Sequence, residues 1–396
     1  MDGFFTASDE EIRSGRTTDV YFSNTERVLK RSGLDSKNVW ADFTATSLPD
    51  GWNQAVFAGL SEVIELMIGR KVDLYSLPEG TIFPARDIKN VPIPVMSVEG
   101  PYGEFCSMET PALGLICQAT GIATRSARIK KLAGDRKVAS FGIRRMHPAI
   151  APMLDRYAYV GGCDGVSGVL GAEACGIDPT GTMPHALIIT AGDQKDAWRL
   201  YHRYVGEGTG RIALIDTYCD EKGESIMAAE ELGDDLDGVR IDTHSSRRGN
   251  IRDIVTEVRW ELDIRGYEDV KIMVSGGINE DEMRDLSDLP VDGYGVGTYI
   301  TNSPTVNYSM DLVSMEGKPV AKRGKFGGRK EVYRCHGCGD FLVLPRDRPV
   351  PECLNCGIEM SPMLVKYLHN GEQKKSGGSA KEIRERVLDS LDSLIL

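Results

Sequence analysis

Residues 238–277 read GVRIDTHSSRRGNIRDIVTEVRWELDIRGYEDVKIMVSGG, and this stretch decides the fold. It begins with a short apolar run that ends in polar residues, and an amphipathic helical pattern follows over residues 251–262. A second apolar run then ends in Ser275 and two glycines. Two apolar strands joined by a helix are typical of a parallel βα unit, because both strands of such a unit are buried.

The same alternation extends over residues 135–300, where six apolar runs are predicted to be strands. They are KVASFGI (137–143), HALIIT (185–190), RIALIDT (211–217), GVRID (238–242), VKIMVSGG (270–277) and DGYGVGT (292–298). After the fifth run, Asn279 followed three residues later by Glu282 is typical of a helix N-terminus. No GxGxxG motif follows the first strand, so the pattern favours a closed or nearly closed βα barrel over a dinucleotide-binding sheet.

Three domains are predicted from the changes in pattern along the chain. Residues 1–125 mix helices with short strands, and a hairpin with Glu316-Gly317 at its turn is expected to pack on those strands. We therefore predict a discontinuous, β-rich α/β domain (1–125 plus 301–330) and a βα-barrel domain (126–300). The remainder (331–396) contains a cysteine cluster, a polar glycine-rich linker (369–380) and an amphipathic C-terminal helix.

Composition excludes several classes of function. The 396 residues include 59 acidic and 47 basic side chains, and the resulting net charge of −12 argues against nonspecific nucleic-acid binding. Apolar residues (41%) and charged residues (27%) are in the proportions of an ordinary globular protein. No window approaches the roughly 18–20 apolar residues that span a bilayer, and the N-terminus lacks the pattern of a signal peptide. We expect a cytoplasmic protein with neither nucleic-acid nor membrane partners.

Polar residues and glycines follow the predicted barrel strands, where a βα barrel builds its active site. Glycines after the late strands, assisted by the following helix N-terminus, are expected to cradle a phosphate, and arginines to bind anions in a bidentate manner. The alternative is that the arginines form salt bridges on a solvated rim. The residues concerned are Arg144, Arg145, Asp216, Arg240, Asp242, Ser275, Gly276, Gly277, Gly295, Gly297 and Thr298.

His185 stands beside Pro184 at the start of the predicted strand HALIIT. Most single histidines are structural, and the residues alone leave open whether this one is catalytic.

Four of the nine cysteines form two CxxC pairs, CHGCG (335–339) and CLNCG (353–357), within 22 residues. Each pair is followed by a glycine, which permits the tight turn that directs both sulfurs at one metal. We predict a structural zinc site formed by the four thiolates of Cys335, Cys338, Cys353 and Cys356, with free thiols as the alternative. Four protein ligands saturate the metal, so this site is expected to stabilise the fold and to take no part in catalysis.

An ordered set of motifs resembles archaeal-type nicotinate phosphoribosyltransferase over residues 10–330. The motifs are RTTDVYF (16–22), SLPEGTIFP (76–84), FGIRRMHPAIAPMLDRYAYVGGCDGVSG (141–168), GTMPHALII (181–189), LIDTYCDE (214–221), GVRIDTHSSRRG (238–249), MVSGGI (273–278) and YGVGT (294–298). The resemblance implies a type II phosphoribosyltransferase fold, which is a β-rich N-terminal domain with an incomplete or irregular βα barrel, and active sites formed across a homodimer or higher homo-oligomer. A zinc-ribbon tail occurs in the archaeal branch of this family.

The family converts nicotinate and phosphoribosyl pyrophosphate into nicotinate mononucleotide and pyrophosphate, with ATP hydrolysis coupled through a phosphohistidine and with Mg²⁺ accompanying the phosphorylated substrates. The resemblance implies that His185 is the phosphorylated residue and that Asp242 holds the ribose hydroxyls. It implies that Phe141 stacks on the nicotinate ring, with Tyr21 from the neighbouring subunit on the other face. Arg144 would bind the phosphoribosyl or pyrophosphate portion. The remaining expected substrate contacts are Asp164 and Arg240 near the ring, Arg145, Thr182 and Asp216 elsewhere in the site, and Ser275, Gly276, Gly277, Gly295, Gly297 and Thr298 at the 5′-phosphate.

The sequence departs from the familiar bacterial pattern at three positions around the histidine. Pro184 and Ala186 flank it, and Cys219 stands where relatives often have an acidic residue that orients it. Asp220 is then the expected substitute. Quinolinate and nicotinamide phosphoribosyltransferases are the alternative enzymes, and a nucleotide-sensing or assembly protein is the non-enzyme alternative.

Overall fold

The computed structural model describes residues 4–206, 210–243, 246 and 249–396. Four residues of the motif at 238–249, namely His244, Ser245, Arg247 and Arg248, lie outside the described residues. The chain divides into two compact units, one that combines the segment up to Thr124 with Ser303–Leu396 and one that comprises Arg125–Asn302.

The first unit begins with five helices and five strands. They are α1 (Asp9–Arg13), α2 (Val20–Ser32), β1 (Asn38–Ala45), β2 (Ala55–Val56), α3 (Leu60–Met67), β3 (Asp73–Ser76), β4 (Ile82–Phe83), β5 (Pro94–Pro101), α4 (Tyr102–Phe105) and α5 (Glu109–Ala133), the last of which continues into the second unit. Helix α3 forms because apolar residues recur at helical spacing, and five of its eight side chains are buried.

The second unit alternates strands with helices. Its elements are β6 (Lys137–Ser140), α6 (Ala151–Val160), β7 (Gly165–Val166), α7 (Val169–Cys175), α8 (His185–Ala191), α9 (Gln194–Tyr204), β8 (Ile212–Leu214), α10 (Glu221–Leu232), β9 (Gly238–Ile241), α11 (Ile251–Asp263), β10 (Lys271–Ser275), α12 (Glu280–Asp285), β11 (Gly293–Val296) and α13 (Thr298–Thr301). The six strands form one parallel sheet in the order β7-β6-β11-β10-β9-β8. Because β7 and β8 lie at its two ends, the barrel is incomplete, as the family resemblance implied.

One of the six predicted strands is wrong. HALIIT forms helix α8, with Pro184 at its N-cap and Gly192 in a left-handed conformation at its C-cap. Ile188 is buried whereas Ile189 is 60% exposed, so the run packs on one helical face. A short apolar run cannot be assigned to strand or helix by periodicity alone. The sixth strand is instead the two-residue β7, which is too short to give a sequence pattern.

The first unit is completed after Ser303 by seven strands and a helix. They are β12 (Tyr308–Met315), β13 (Lys318–Pro319), β14 (Lys330–Arg334), β15 (Phe341–Pro345), β16 (Ser361–Pro362), β17 (Val365–His369), β18 (Glu372–Gln373) and α14 (Ala380–Asp389). An antiparallel sheet has the order β13-β12-β1-β5-β3-β17-β18, so the hairpin with Glu316-Gly317 at its turn does return to the N-terminal strands. A smaller sheet, β15-β14-β16, lies next to the cysteine cluster.

The predicted linker at 369–380 is partly structured. Strand β17 pairs with β3, and Asn370-Gly371 turns the chain into β18, with both residues at positive φ. Asn-Gly is a strong hairpin signal, and the surrounding polar composition obscured it. Within the described part of the chain, no helix combines the length and apolar character needed to cross a bilayer.

Candidate functional site

A cavity of about 1070 Å³ lies at the carboxyl ends of the parallel strands, entirely within the second unit. Strand ends that are far apart in sequence meet here because parallel strands place their carboxyl ends at one edge of the sheet. The cavity lining includes most of the residues expected from the sequence: Phe141, Arg144, Arg145, Thr182, His185, Arg240, Asp242, Ser275, Gly276, Gly277, Gly295, Gly297 and Thr298.

His185 is the first residue of α8, and its side chain is 39% exposed. Its Nδ1 lies 3.1 Å from Thr217 Oγ1, while its Nε2 lies 3.6 Å from Asp216 Oδ1 and 3.8 Å from Asp242 Oδ2. A proton on Nδ1 that is donated to Thr217 leaves the lone pair on Nε2. The ring therefore has one nitrogen fixed by the protein and the other directed at two carboxylates.

Asp216 itself is buried behind the histidine, with its side chain only 3% exposed. Its Oδ2 accepts hydrogen bonds from the Asp242 amide and the Thr243 hydroxyl, both at 2.8 Å. Burial is the main reason why the pKa of Asp216 is raised, and the neighbouring Asp242 carboxylate raises it further. Asp216 thus anchors the backbone at Asp242, although the resemblance placed it among the substrate contacts.

Asp242 accepts a hydrogen bond from Ser275 Oγ at 2.7 Å, and its other oxygen lies 3.8 Å from Arg240 Nη2. Arg240 is 9% exposed and donates to the Met183 carbonyl at 3.2 Å. Ser275, which was expected at the phosphate, therefore orients the Asp242 carboxylate through its hydroxyl.

Several buried polar atoms around this cavity make no hydrogen bond to the described residues. They include Arg240 Nε, Thr182 Oγ1 and Asp216 Oδ1. Buried polar groups in native proteins are nearly always paired, and leaving one unpaired costs about 1–3 kcal/mol. Their concentration at one cavity indicates a site that binds a polar, partly anionic ligand.

The glycines serve different purposes. A Cβ on Gly295 would lie 2.6 Å from the Phe141 ring, so glycine is needed there to admit the ring. Gly276 and Gly277 both have φ near +80°, and a Cβ on Gly276 would lie 2.9 Å from the Asp242 carbonyl oxygen. Gly276 and Gly277 therefore form a tight turn whose backbone is open to a ligand.

Asp164 is not at the site, and the expectation that it lies near the ring is corrected. Its Oδ2 accepts from Lys130 Nζ at 3.0 Å and from the Val138 amide at 2.9 Å. Val138 is at the beginning of β6, whereas the cavity lies beyond that strand's carboxyl end. The acidic residue after a Gly-Gly-Cys sequence gives no indication of which end of the neighbouring strand it will contact. Tyr21 lies in the other unit on α2 and is 57% exposed, so its role across a dimer stays a prediction.

The substitute for the missing acidic residue is also corrected. Asp220 caps α10 by accepting from the Gly223 amide at 2.8 Å. Cys219 is exposed, and its amide donates to the buried carboxylate of Glu224 at 2.8 Å, as does that of Tyr218 at 2.7 Å. Glu224 therefore shapes the loop that presents Thr217 to His185. The sequence places Thr217 at a polar strand end but does not reveal it as the partner of His185, and a glutamate in the first turn of a helix, such as Glu224, carries no motif.

The four predicted zinc ligands come together in the first unit. Their sulfurs all lie within 4.8 Å of one another, with Cys335–Cys356, Cys338–Cys353 and Cys338–Cys356 separations of 3.3, 3.5 and 3.8 Å. Tetrahedral zinc with Zn–S bonds of about 2.3 Å requires sulfurs about 3.8 Å apart, so the cluster fits a zinc ribbon. His336 contacts Ser361 at 2.9 Å and is not needed as a ligand.

Comparisons with known proteins relate the whole chain to one family of enzymes. Models of the quinolinate phosphoribosyl transferase N-terminal and C-terminal domains match residues 19–120 and 122–311. The crystal structure of nicotinate-nucleotide pyrophosphorylase from Pyrococcus furiosus is 49% identical with a TM-score of 0.95, and the match covers 100% of both chains. A nicotinate phosphoribosyltransferase of Mycobacterium tuberculosis is 29% identical over an alignment of 381 positions, which covers 86% of this chain and 83% of the relative. Human nicotinic acid phosphoribosyltransferase shares the fold, with 20% identity and a TM-score of 0.79 over 96% of this chain and 94% of that one.

Proposed function

This chain belongs to the nicotinate phosphoribosyltransferase family, and we propose that it joins nicotinate to phosphoribosyl pyrophosphate, releasing pyrophosphate and forming nicotinate mononucleotide for NAD biosynthesis. The observation that carries the proposal is the single cavity that combines Phe141, Asp242, His185, three predicted arginines and the glycine turns. Nicotinate requires an aromatic side chain that stacks on its ring. Phosphoribosyl pyrophosphate requires a carboxylate that binds the ribose hydroxyls and cations that bind the phosphates.

The chemistry is substitution at C1 of the ribose. As the C–O bond to pyrophosphate breaks, positive charge develops on the sugar and negative charge on the leaving group, and the pyridine nitrogen forms the new bond. Arg144 and Arg145 are suited to stabilise the leaving group, and Asp242 to hold the ribose hydroxyls beside C1. Phe141 fixes the ring plane, so the reacting atoms are brought together by positioning, and no protein nucleophile is needed.

Mg²⁺ enters as part of the phosphoribosyl pyrophosphate and ATP substrates and neutralises charge on their phosphates. We also propose that ATP phosphorylates His185. His185 lines the cavity, and the contact of its Nδ1 with Thr217 Oγ1 supports Nε2 as the nitrogen that accepts the phosphoryl group.

We propose that a homodimer, or a higher homo-oligomer, brings Tyr21 of a second copy over the nicotinate ring. Tyr21 is 57% exposed on α2, and the same helix exposes Val20 and Val28. An apolar, solvent-facing stripe of this kind supports a contact between copies.

Nicotinate is expected to exceed nicotinamide in kcat/KM by about 10²-fold or more, because a cationic pocket left facing a neutral amide loses a charged hydrogen bond. Quinolinate, which the matched domain names favour as the second candidate, is expected to react more slowly still. Four arginines but no lysine occur among the described residues of the cavity lining, and a second carboxylate would need additional cations.

The measurement is pyrophosphate release by purified protein with phosphoribosyl pyrophosphate and each of nicotinate, nicotinamide and quinolinate. Comparable kcat/KM for nicotinamide, or a higher value for quinolinate with carbon dioxide release, would overturn the nicotinate assignment. Binding of the substrates without turnover of any of the three would favour a nucleotide sensor.

We propose that the four-cysteine cluster holds one structural zinc per chain. Removal of the metal is expected to lower Tm by about 5 °C or more, because four thiolates hold two chain turns together around it. Turnover below the new Tm should persist, since the thiolates saturate the metal and leave no position for substrate.

The zinc prediction is checked by elemental analysis and thermal melting of the wild type, Cys338→Ser and Cys219→Ser. Cys219 is an exposed thiol outside the cluster, so its variant should keep both the zinc and the wild-type Tm. Absence of zinc from protein purified without chelators would contradict the assignment.

A further inference from the structure

Arg125 is a cation of the cavity lining that the reaction outlined above does not use. It lies within the long helix α5, and the whole residue is only 7% exposed. Arginine is seldom buried to this extent unless its charge is paired with an acidic group or binds a ligand. No sequence motif pointed to it, because α5 precedes the first barrel strand.

The side chain of Arg125 contacts two barrel segments, one that follows Gly277 and one that follows Gly297. Its Nη1 donates to the Tyr299 hydroxyl at 2.5 Å, and its guanidinium lies 4.2 Å from the centre of the Tyr299 ring. Nη1 also lies 3.9 Å from Glu280 Oε1. Tyr299 is two residues beyond Gly297, and Glu280 is three residues beyond Gly277. Arg125 thus contacts the segment that follows each of these glycines.

Three guanidinium groups share the Glu280 carboxylate unequally, and Arg284 Nη2 donates to its Oε2 at 3.2 Å. Arg128 holds both oxygens in a bidentate pair, with Nε–Oε1 and Nη2–Oε2 distances of 2.8 Å. Arg128 is equally buried but lies outside the cavity lining, whereas Arg125 belongs to it. Burial opposes ionisation of Glu280, yet the neighbouring arginines hold its pKa below the ordinary value. Positive charge therefore predominates at this edge of the cavity.

Helix α12, which follows Gly277, has only six residues, and α13, which follows Gly297, has only four. Their backbone dipoles therefore supply little charge for a phosphate. A guanidinium beside these two segments would supply that charge and add directional donors. We infer that Arg125 is a binding residue for the 5′-phosphate of phosphoribosyl pyrophosphate and of the nucleotide product. The inference rests on the proposed function and deepens it.

The alternative is that Arg125 only fastens α5 to the barrel, and Arg128 provides the matched comparison. Arg125→Met is expected to raise KM for phosphoribosyl pyrophosphate by about tenfold or more, with KM for nicotinate changed less than about twofold. Arg128→Met should lower Tm more than Arg125→Met, because it leaves Glu280 without its bidentate partner, while KM for phosphoribosyl pyrophosphate stays within about twofold. Arg125→Lys retains the charge but loses the bidentate geometry of the guanidinium, so its KM for phosphoribosyl pyrophosphate should lie between those of the wild type and Arg125→Met. This variant replaces Arg125→Met in the test if the methionine variant does not fold.

Binding of ribose 5-phosphate, measured by calorimetry and as competitive inhibition, reports on the 5′-phosphate alone. Arg125→Met should weaken it by about tenfold and leave inhibition by pyrophosphate unchanged. The inference would be overturned if Arg125→Met and Arg128→Met changed KM for phosphoribosyl pyrophosphate equally. It would also be overturned if ribose 5-phosphate binding were unchanged in both Arg125→Met and Arg125→Lys. Calorimetry needs no turnover, so a wild type that binds ribose 5-phosphate but does not use nicotinate would refute the proposed function without refuting Arg125.

Discussion

Asp242→Ala is expected to lower kcat/KM by about 10²- to 10³-fold while changing Tm by less than about 3 °C. The carboxylate accepts from Ser275 and lies 3.8 Å from both Arg240 and His185, with its side chain 24% exposed to the cavity. Its removal takes away the group that we propose to hold the ribose hydroxyls. Stability should be retained because the buried Asp216 loses a repulsive neighbour that raises its pKa.

Asp164→Ala is the matched comparison, since sequence analysis had placed both aspartates in the site. Asp164 pairs with Lys130 and the Val138 amide at the other end of strand β6. Its loss should cost about 1–3 kcal/mol of unfolding free energy and leave KM for both substrates near the wild-type values. Turnover and thermal melting on the same preparations decide the matter. A parallel fall of Tm and activity in Asp242→Ala would make it a structural residue.

The barrel strands and most cavity residues could be predicted because local patterns specify them. Asn279 was expected to cap a helix, and its Oδ1 accepts from the Asp281 and Glu282 amides, both at 2.9 Å. Glycines and polar residues at strand ends share one edge of a parallel sheet, whatever their sequence separation. The fold rule alone therefore assembled Arg240, Asp242 and the glycine turns.

The residues that the sequence did not predict are those chosen by three-dimensional contact. Arg125 acquires its position from Tyr299, which is 174 residues away in sequence, and Thr217 faces His185 from 32 residues away. Asp164 was predicted at the site but lies elsewhere, because its position in a motif does not say which end of a strand the side chain will reach. HALIIT was assigned to the wrong element because a seven-residue helix is too short for its period to be recognised.

The arrangement around His185 bears on whether ATP hydrolysis is coupled to transfer. Phosphorylation forms a bond from Nε2 to the γ-phosphorus and breaks the bond to the β-phosphate oxygen, so ADP leaves. Thr217 holds Nδ1 at 3.1 Å, and the Glu224 carboxylate fixes the loop that carries Thr217. These contacts orient the ring although position 219 holds a cysteine, so we expect coupling to survive the sequence departures at Pro184, Ala186 and Cys219.

His185→Ala is expected to keep ATP-independent transfer while losing all ATP stimulation and ATPase activity. A phosphohistidine would add about −1.5 to −2 charges beside the arginines proposed to bind pyrophosphate, and this charge would reorganise them together with Mg²⁺. The coupling free energy equals the difference in substrate-binding free energy between the phosphorylated and unphosphorylated enzyme. A typical difference of about 1–3 kcal/mol corresponds to about 5- to 150-fold stimulation by ATP in the wild type.

Thr217→Val separates the orientation of His185 from its presence. It should retain the basal rate and lower the ATP-stimulated rate, because the ring keeps its nucleophilic nitrogen but loses the partner that directs it. The measurements are initial rates with and without ATP and acid-labile phosphate after incubation with labelled ATP. Absence of both stimulation and acid-labile phosphate in the wild type would exclude the phosphohistidine. With Nε2 only 3.6 Å from Asp216 and 3.8 Å from Asp242, His185 would then act through its contacts with carboxylates and pyrophosphate alone.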